Sequence, residues 1–334
     1  MTITSSRPPV TAKRHRKRVA VTVLVWLLLL PMAGWAVLRF GGWERGALVQ
    51  LFAFTPYAAA WSLVPALIAL LTRRWLGAAV AVVAAALLAV AILPRVMSDR
   101  DTGPATGVTL NIMSSNVELG GADADAVVKL VRDQDVAVLA LQEFTPGIQE
   151  RLEAAGLKTL LPYSSAAPVR GASGSAVYSR FPITSPGARR NGGGFMQAYG
   201  TITPPGAGPI VVESAHPLAP YAVEVLDDWS TDLANEPHTD PDGPPRILLG
   251  DFNSTLDHHA LRELIARGDY RDAAAATGAG LVGTWGPYGG APLPPVTIDH
   301  VLVDKRIGVR DVRVHGVPRT DHRSIYASLT VPAA

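Results

Sequence analysis

The run Ile247-Leu248-Leu249-Gly250-Asp251-Phe252-Asn253 places an acid and an amide two residues apart at the end of an apolar stretch. Residues i and i+2 of a strand face the same side, so an acid that orients a water and an amide that holds an oxyanion point into one cleft. Asp, Asn and Gly also favour turns, and taken alone the four residues describe an ordinary strand exit equally well. Similar residues close other strand-like runs. Asn116 and Glu118 follow Val108 to Ser115, Glu143 follows Leu139-Ala140-Leu141-Gln142, and His216 follows Val211 to Ala215. Asp299 and His300 interrupt the apolar run Val296 to Val303, and Asp321-His322 precedes the last strand. Open α/β sheets build their sites at strand ends.

A hard divalent cation takes oxygen ligands, which Glu143, Asn116, Asp321 and Glu118 can supply, and magnesium keeps several waters while using one or two carboxylates. Such an ion neutralises charge on a phosphoryl oxygen and its leaving group. Asp299 is suited to fixing the tautomer of His322, leaving that ring to contact a phosphate or relay a proton. Each residue has a plainer reading. Glu143 suits a helix cap ahead of Thr145-Pro146, Asn116 and Glu118 suit the turn at Gly120-Gly121, and His216 before Pro217 suits a loop. Asp299 is harder to explain away, because a carboxylate in an apolar run needs a partner. His238, His258, His259 and His315 read as surface residues, and His258-His259 and His300 lack the His-Glu-x-x-His spacing of a helical zinc site.

The elements that must position these groups occupy the second part of the chain. Of 334 residues, 1–18 form a basic tail ending in Lys13-Arg14-His15-Arg16-Lys17-Arg18. Three apolar stretches follow, Val19 to Leu38, Ala47 to Leu71 and Trp75 to Leu93, each free of Lys, Arg, Asp and Glu. Each is about the 20 residues a helix needs to cross the hydrocarbon core, which predicts three transmembrane helices over residues 19–93. A cleaved signal peptide is the rival for the first stretch, but the run is long and lacks a small-x-small exit. The basic cluster and Arg73-Arg74 are expected to stay cytoplasmic, which places everything after Pro94 outside in a multi-pass plasma-membrane protein. The chain has no cysteine, excluding disulfides, a thiol nucleophile and thiolate zinc sites. Its net charge of +2 is accounted for by the tail, so no basic surface advertises nucleic acid.

Residues 94–107 are polar and loop-like and are read as a linker, and 108–332 as one α/β domain in which strand and helix patterns alternate. Strands are predicted at 108–115, 136–141, 175–178, 197–203, 210–215, 247–249, 296–303 and 324–331, and helices at 122–132, 221–233 and 258–267. If flexible, ten residues of linker reach about 20 Å, so the domain would work close to the lipid surface.

Taken in order, Asn116, Gln142-Glu143, Gly174 to Pro182, His216, Gly250-Asp251-Phe252-Asn253, Ile298-Asp299-His300-Val301 and Thr320-Asp321-His322 resemble the endonuclease/exonuclease/phosphatase superfamily. The resemblance implies a four-layer sandwich of two mixed β-sheets flanked by helices, and magnesium-dependent (or manganese-dependent) cleavage of phosphate esters or anhydrides. It also implies residue roles. Glu143 becomes the principal metal ligand, with Asn116 and Asp321 nearby. Asp251 orients or deprotonates the attacking water, Asn253 and His216 bind phosphate, and Asp299 supports His322. Thr320 stands where many relatives have Ser, which keeps the hydroxyl, and Glu118 stands where some nucleases have Asp. Three spans followed by an external domain of this type resemble the VanJ-type actinobacterial membrane proteins linked to teicoplanin resistance. That resemblance implies a lipid-linked substrate, undecaprenyl pyrophosphate, at the outer leaflet. A nuclease on the outer face and a degenerate domain that only binds a partner or lipid are the alternatives. Oligomeric state has no signal in the sequence.

Overall fold

The computed structural model describes residues 10–99, 107–286 and 293–334. Residues 1–9 of the expected tail and 100–106 of the expected linker lie outside the described residues. The chain divides into two compact units, one formed by residues 1–43 and 54–92, the other by 44–53 and 93–334.

The described residues of the first unit form three helices, α1 (Val10–Gly41), α3 (Thr55–Leu71) and α4 (Trp75–Ile92), with the short α2 (Leu48–Phe52) between α1 and α3 in sequence but belonging to the second unit. Two helical stretches, Arg14–Gly41 and Trp75–Val96, are long and apolar enough to cross a membrane, and Thr55–Leu71 is a shorter apolar helix. The expected second stretch, Ala47 to Leu71, is therefore not one helix. Small residues let the helices approach: Ala69 and Ala78 pack with Val25, and Ala66 and Ala81 with Leu29. Large apolar residues such as Leu27, Leu71 and Leu76 face outward.

In the second unit, β1 (Gly107–Asn116), α5 (Ala124–Asp133), β2 (Val138–Gln142), α6 (Pro146–Ala154), α7 (Leu157–Leu160), β3 (Tyr163–Ala167) and β4 (Ser175–Ser179) come first. Then follow β5 (Ile183–Arg190), β6 (Met196–Ile202), β7 (Ile210–Ala215), α8 (Leu226–Ala234) and β8 (Arg246–Asp251). The chain ends with α9 (His259–Arg267), β9 (Tyr270–Asp272), α10 (Ala273–Ala276), β10 (Asp299–Asp304), β11 (Gly308–Gly316) and β12 (Arg323–Pro332). Two six-stranded sheets result, ordered β11-β12-β1-β2-β4-β3 and β5-β6-β7-β8-β10-β9. Each is antiparallel except for its central pair, β1 with β2 and β7 with β8.

The inner faces meet in one apolar core that includes Ile112, Val138, Val212, Leu249, Val301 and Ile325. Helices cover both outer faces. Val127, Val131, Ile148 and Leu152 pack on Leu139 and Leu141 of one sheet, and Trp229, Leu233 and Leu261 pack on Leu248 and Leu302 of the other. Central strands buried on both sides explain why 138–141 and 247–249 are apolar without alternation. Local chemistry fixes the helix starts. Asp123 accepts from Ala126 N–H at the head of α5, and Thr145 accepts from Ile148 N–H at the head of α6, so Thr145 rather than Glu143 is the cap. Gly250 has no alternative, because a Cβ there would lie 2.0 Å from the Ala215 carbonyl oxygen of the neighbouring strand.

The unit also holds on to residues from the start of the expected linker and from before it. Arg95, in a single 3₁₀ turn over Leu93–Val96, makes a buried two-pronged pair with Asp257 at 2.7 Å on each oxygen. His258 is not on the surface, unlike exposed His238 and His259 and half-buried His315. Its Nδ1 accepts from Thr255 N–H at 2.8 Å, and its Nε2 donates to the Val49 carbonyl at 2.8 Å. Burial pushes its pKa down to about 4, with Arg262 acting the same way and Val49, Asp257 and Thr255 opposing. The folded state thus holds a neutral ring that the unfolded chain protonates near 6.5. Stability carried by that neutral ring is complete above about pH 6.5 and is lost as pH falls toward about 4. His258→Gln keeps a donor for Val49 but cannot titrate. Thermal melts from pH 7.5 to 4.5 should therefore show the wild type losing Tm faster than His258→Gln on acidification, the gap between them narrowing steadily.

Candidate active site

The two central parallel pairs deliver their carboxyl ends to one place. Asn116 ends β1, Glu143 follows β2, His216 follows β7 and Asp251 ends β8. Antiparallel neighbours contribute their starts: Asp299 opens β10 directly opposite Asp251, and His322 immediately precedes β12. Residues spread over more than 200 positions of sequence therefore meet at one edge of the sandwich.

Asn116 Nδ2 lies between two carboxylates, 3.2 Å from Glu143 Oε1 and 3.0 Å from Asp251 Oδ2. Asp251 Oδ2 is 3.9 Å from His216 Nε2 and 3.6 Å from His322 Nε2, and Asp251 Oδ1 accepts from Asn253 N–H at 2.8 Å. His322 Nδ1 is 2.9 Å from Asp299, and its Nε2 is 3.8 Å from Asp321. All eight residues singled out in the sequence thus join one network. Glu118, whose place as a ligand was open, turns its carboxylate to Asp321 N–H at 2.9 Å. Among the described residues, Asp251, Asp299 and His322 offer ligand atoms within 4.8 Å of one another.

Backbone strain aims two of these groups. Glu143 (φ 56°), directly after β2, and Asn253 (φ 48°), two residues after the end of β8, sit in the left-handed region, a conformation that costs about 1–3 kcal/mol for a residue other than glycine. Asn accepts it more readily than Glu. At Glu143 the turn lets Leu119 N–H reach Oε2 at 2.6 Å.

The electrostatics are those of crowded acids. Burial raises the pKa of Glu143, opposed by the Leu119 and Asn116 hydrogen bonds and reinforced by the charge of Asp251. Burial likewise raises Asp251 and Asp321, and His322 opposes both shifts. His322 answers in the other direction: burial disfavours its charge, but Asp299 and then Asp251 outweigh this and push its pKa up to about 10. His216 goes down to about 4, driven by burial and by the nearby His322 against the pull of Asp251. The site therefore keeps one imidazolium and one neutral imidazole on either side of Asp251.

Several supports had been given no role from the sequence, although Gln142 and Thr320 stood in its motifs. Gln142 bridges the sheets, accepting from the Ser114 hydroxyl at 3.1 Å and donating to the Ser214 hydroxyl at 2.8 Å. The Thr284 hydroxyl accepts from the Ile298 and Asp299 amides, fixing the start of β10. Thr320, the departure from Ser, donates to the Asn116 carbonyl at 3.0 Å and accepts from His322 N–H at 3.2 Å, so its hydroxyl ties two parts of the site together. Around His216, Gln197 accepts its N–H, Asn191 donates to its carbonyl, and Asp232 accepts from Leu218 N–H. Asn253 spends one amide proton on the Pro217 carbonyl at 3.0 Å. Polar residues inside otherwise apolar strands were the available signal for Gln142, Ser214 and Gln197; Thr284 and Asn191 lie in loops and gave none.

A profile of the endonuclease/exonuclease/phosphatase family matches residues 109–322. Among solved structures, an endonuclease/exonuclease/phosphatase from Beutenbergia cavernae DSM 12333 superposes with a TM-score of 0.55 at 19% identity, covering 67% of this chain and 72% of that one. TDP2 from Caenorhabditis elegans gives 0.53 at 17% identity, covering 71% and 77%. A D. rerio TDP2 humanized by 14 mutations gives 0.52 at 13% identity, covering 67% and 99%. At these identities the likeness is one of fold. No curated protein matches the chain by sequence.

Replacing Asp299 by Asn removes the nearest counter-charge of His322 while keeping the side-chain shape. A ring titration followed by NMR should place His322 in the variant well below about 10, moving toward an ordinary imidazole, with little change at His216.

Proposed function

Because the chain belongs to the endonuclease/exonuclease/phosphatase family, whose members are metal-dependent hydrolases of phosphoester bonds, we propose that it is a membrane-anchored, extracytoplasmic phosphohydrolase of a lipid-linked pyrophosphate, with undecaprenyl pyrophosphate as substrate. The observation that carries the catalytic part is the single network of Glu143, Asn116, Asp251, Asn253, His216, Asp299, Asp321 and His322.

The donor set fits a hard dication. Four carboxylates, those of Glu143, Asp251, Asp299 and Asp321, face one imidazolium, leaving an excess of negative charge among oxygen donors. Asp299 is already engaged with His322, so Glu143 and Asp321, with Asn116 alongside, are the residues to hold it. A magnesium or manganese ion there would neutralise charge on the phosphoryl oxygen and the leaving group. Asp251 orients and deprotonates the attacking water, its carboxylate aimed by Asn253 N–H and Asn116 Nδ2. The imidazolium of His322, held by Asp299, donates to a phosphoryl oxygen where negative charge develops. His216 and the second amide proton of Asn253 complete the phosphate contacts.

The membrane part is supported by hydropathy. Two helical stretches, Arg14–Gly41 and Trp75–Val96, are long and apolar enough to cross a membrane, and with the shorter apolar Thr55–Leu71 as a third span the chain would leave the membrane on the side opposite its basic tail. The basic residues 13–18 and Arg73-Arg74 then share the opposite, cytoplasmic side. A site tethered this way meets lipid head groups at high effective concentration, whereas a soluble polymer gains little. The layout resembling VanJ-type proteins is what favours a polyprenyl pyrophosphate among lipid phosphates.

The test is phosphate release from undecaprenyl pyrophosphate by the full-length protein in magnesium-containing vesicles. Asp251→Ala and Glu143→Gln should each lower the rate by about 10²-fold or more, and chelation should abolish it until magnesium or manganese is restored. Degradation of plasmid DNA without release from the lipid would contradict the lipid assignment and favour a nuclease.

A further inference from the structure

The segment Glu44–Ala53 joins α1 to α3, yet it is built into the α/β unit. Val49 is buried in the same apolar cluster as Trp229, Leu261 and Phe252, the residue between Asp251 and Asn253. Its carbonyl takes the His258 hydrogen bond, and the Glu44 carboxylate accepts from His259 N–H. A further contact is made by Gln50, whose Nε2 donates to the Pro220 carbonyl at 2.7 Å.

Pro220 lies in 216–221, a stretch without regular secondary structure that begins with His216. Pro217 and Pro220 have no N–H, so the chain there is anchored through carbonyls and the remaining amides. Asn253 holds the Pro217 carbonyl, Asp232 holds the Leu218 amide, and Asn191 and Gln197 hold the two ends of His216. At Pro220 the holding group is Gln50, and it arrives from a part of the chain 170 residues away.

We propose that Gln50 is a positioning residue for this active-site stretch, and that Glu44–Ala53 is a working piece of the catalytic unit rather than a passive connection between two helices. The hydrogen bond stops the 216–221 stretch from swinging on its prolines, which keeps His216 beside Asp251 and keeps the Pro217 carbonyl in reach of Asn253. The inference rests on the hydrolase reading for its kinetic readout alone; amide exchange reads it independently.

The experiment uses the full-length protein in detergent micelles or vesicles, with Gln50→Ala, Gln50→Glu, Gln50→Lys and Val49→Ala. Hydrogen exchange at Leu218, Ala219, Tyr221 and Ala222 should rise several-fold in Gln50→Ala, while exchange in β1 and β12 stays as in the wild type. With a phosphoester that the wild type hydrolyses, kcat should fall about 2- to 12-fold, the effect of one lost hydrogen bond, with KM and Tm nearly unchanged. Gln50→Lys keeps a donor and should retain most of the rate, whereas Gln50→Glu at neutral pH sets a carboxylate against a carbonyl and should lose at least as much as Gln50→Ala. Val49→Ala, which loosens the packing and spares the Pro220 bond, should lower Tm more and kcat less than Gln50→Ala. Unchanged exchange at 218–222 in Gln50→Ala, or equal behaviour of the Lys and Glu variants, would overturn the proposal. Failure of the lipid to turn over, with increased exchange in Gln50→Ala, would instead count against the substrate and leave the positioning role standing.

Discussion

Negative charge packed into a dry cleft is the constraint around which this α/β unit is organised. Asp251 and Asp299 are nearly fully buried, Glu143 and Asp321 partly so, and each unpaired carboxylate in such a place is costly. The protein answers with one imidazolium, an amide bridging Glu143 and Asp251, and backbone N–H groups at Leu119, Asn253 and Asp321, the last directed to Glu118. That is less positive charge than the acids require, a deficit that a bound dication would reduce. The strained backbone at Glu143 and the polar ties of Gln142, Thr284 and Thr320 are intelligible as the means of keeping these groups close despite their repulsion.

The sandwich makes this possible by placing a parallel pair at the centre of each sheet. Two parallel pairs facing one another bring four strand ends to one edge, and their antiparallel neighbours add the starts of β10 and the residues before β12. Rigid strands buried on both faces hold those ends still, so the site borrows its precision from the apolar core rather than from loops.

Much of this was legible in the sequence, for a physical reason. Strands with two buried faces leave continuous apolar runs, and a titratable residue that ends such a run stands out, as Glu143, His216 and Asp251 do. What was hidden depends on distant partners. Strands β3, β5, β9 and β11 are short, polar or at sheet edges, and their 3-residue to 9-residue patterns carry little hydrophobic signal. His258 looked like half of a surface His-His pair because nothing local reveals that Val49 covers it. The apolar stretch 47–71 hid a break for the same reason: Val49 is buried in an apolar cluster of the α/β unit, and hydropathy does not distinguish a protein core from lipid.

If the clustered acids hold a hard dication, as their unbalanced charge implies, manganese binding followed by electron paramagnetic resonance will show it. Full-length protein at pH 7 should bind one ion stoichiometrically. Glu143→Gln should weaken that binding by at least the roughly 10- to 100-fold that changes one step removed from a metal ligand cost, and Glu224→Gln, at an exposed position elsewhere, should not. An affinity indifferent to Glu143, or no stoichiometric ion at all, would contradict the account.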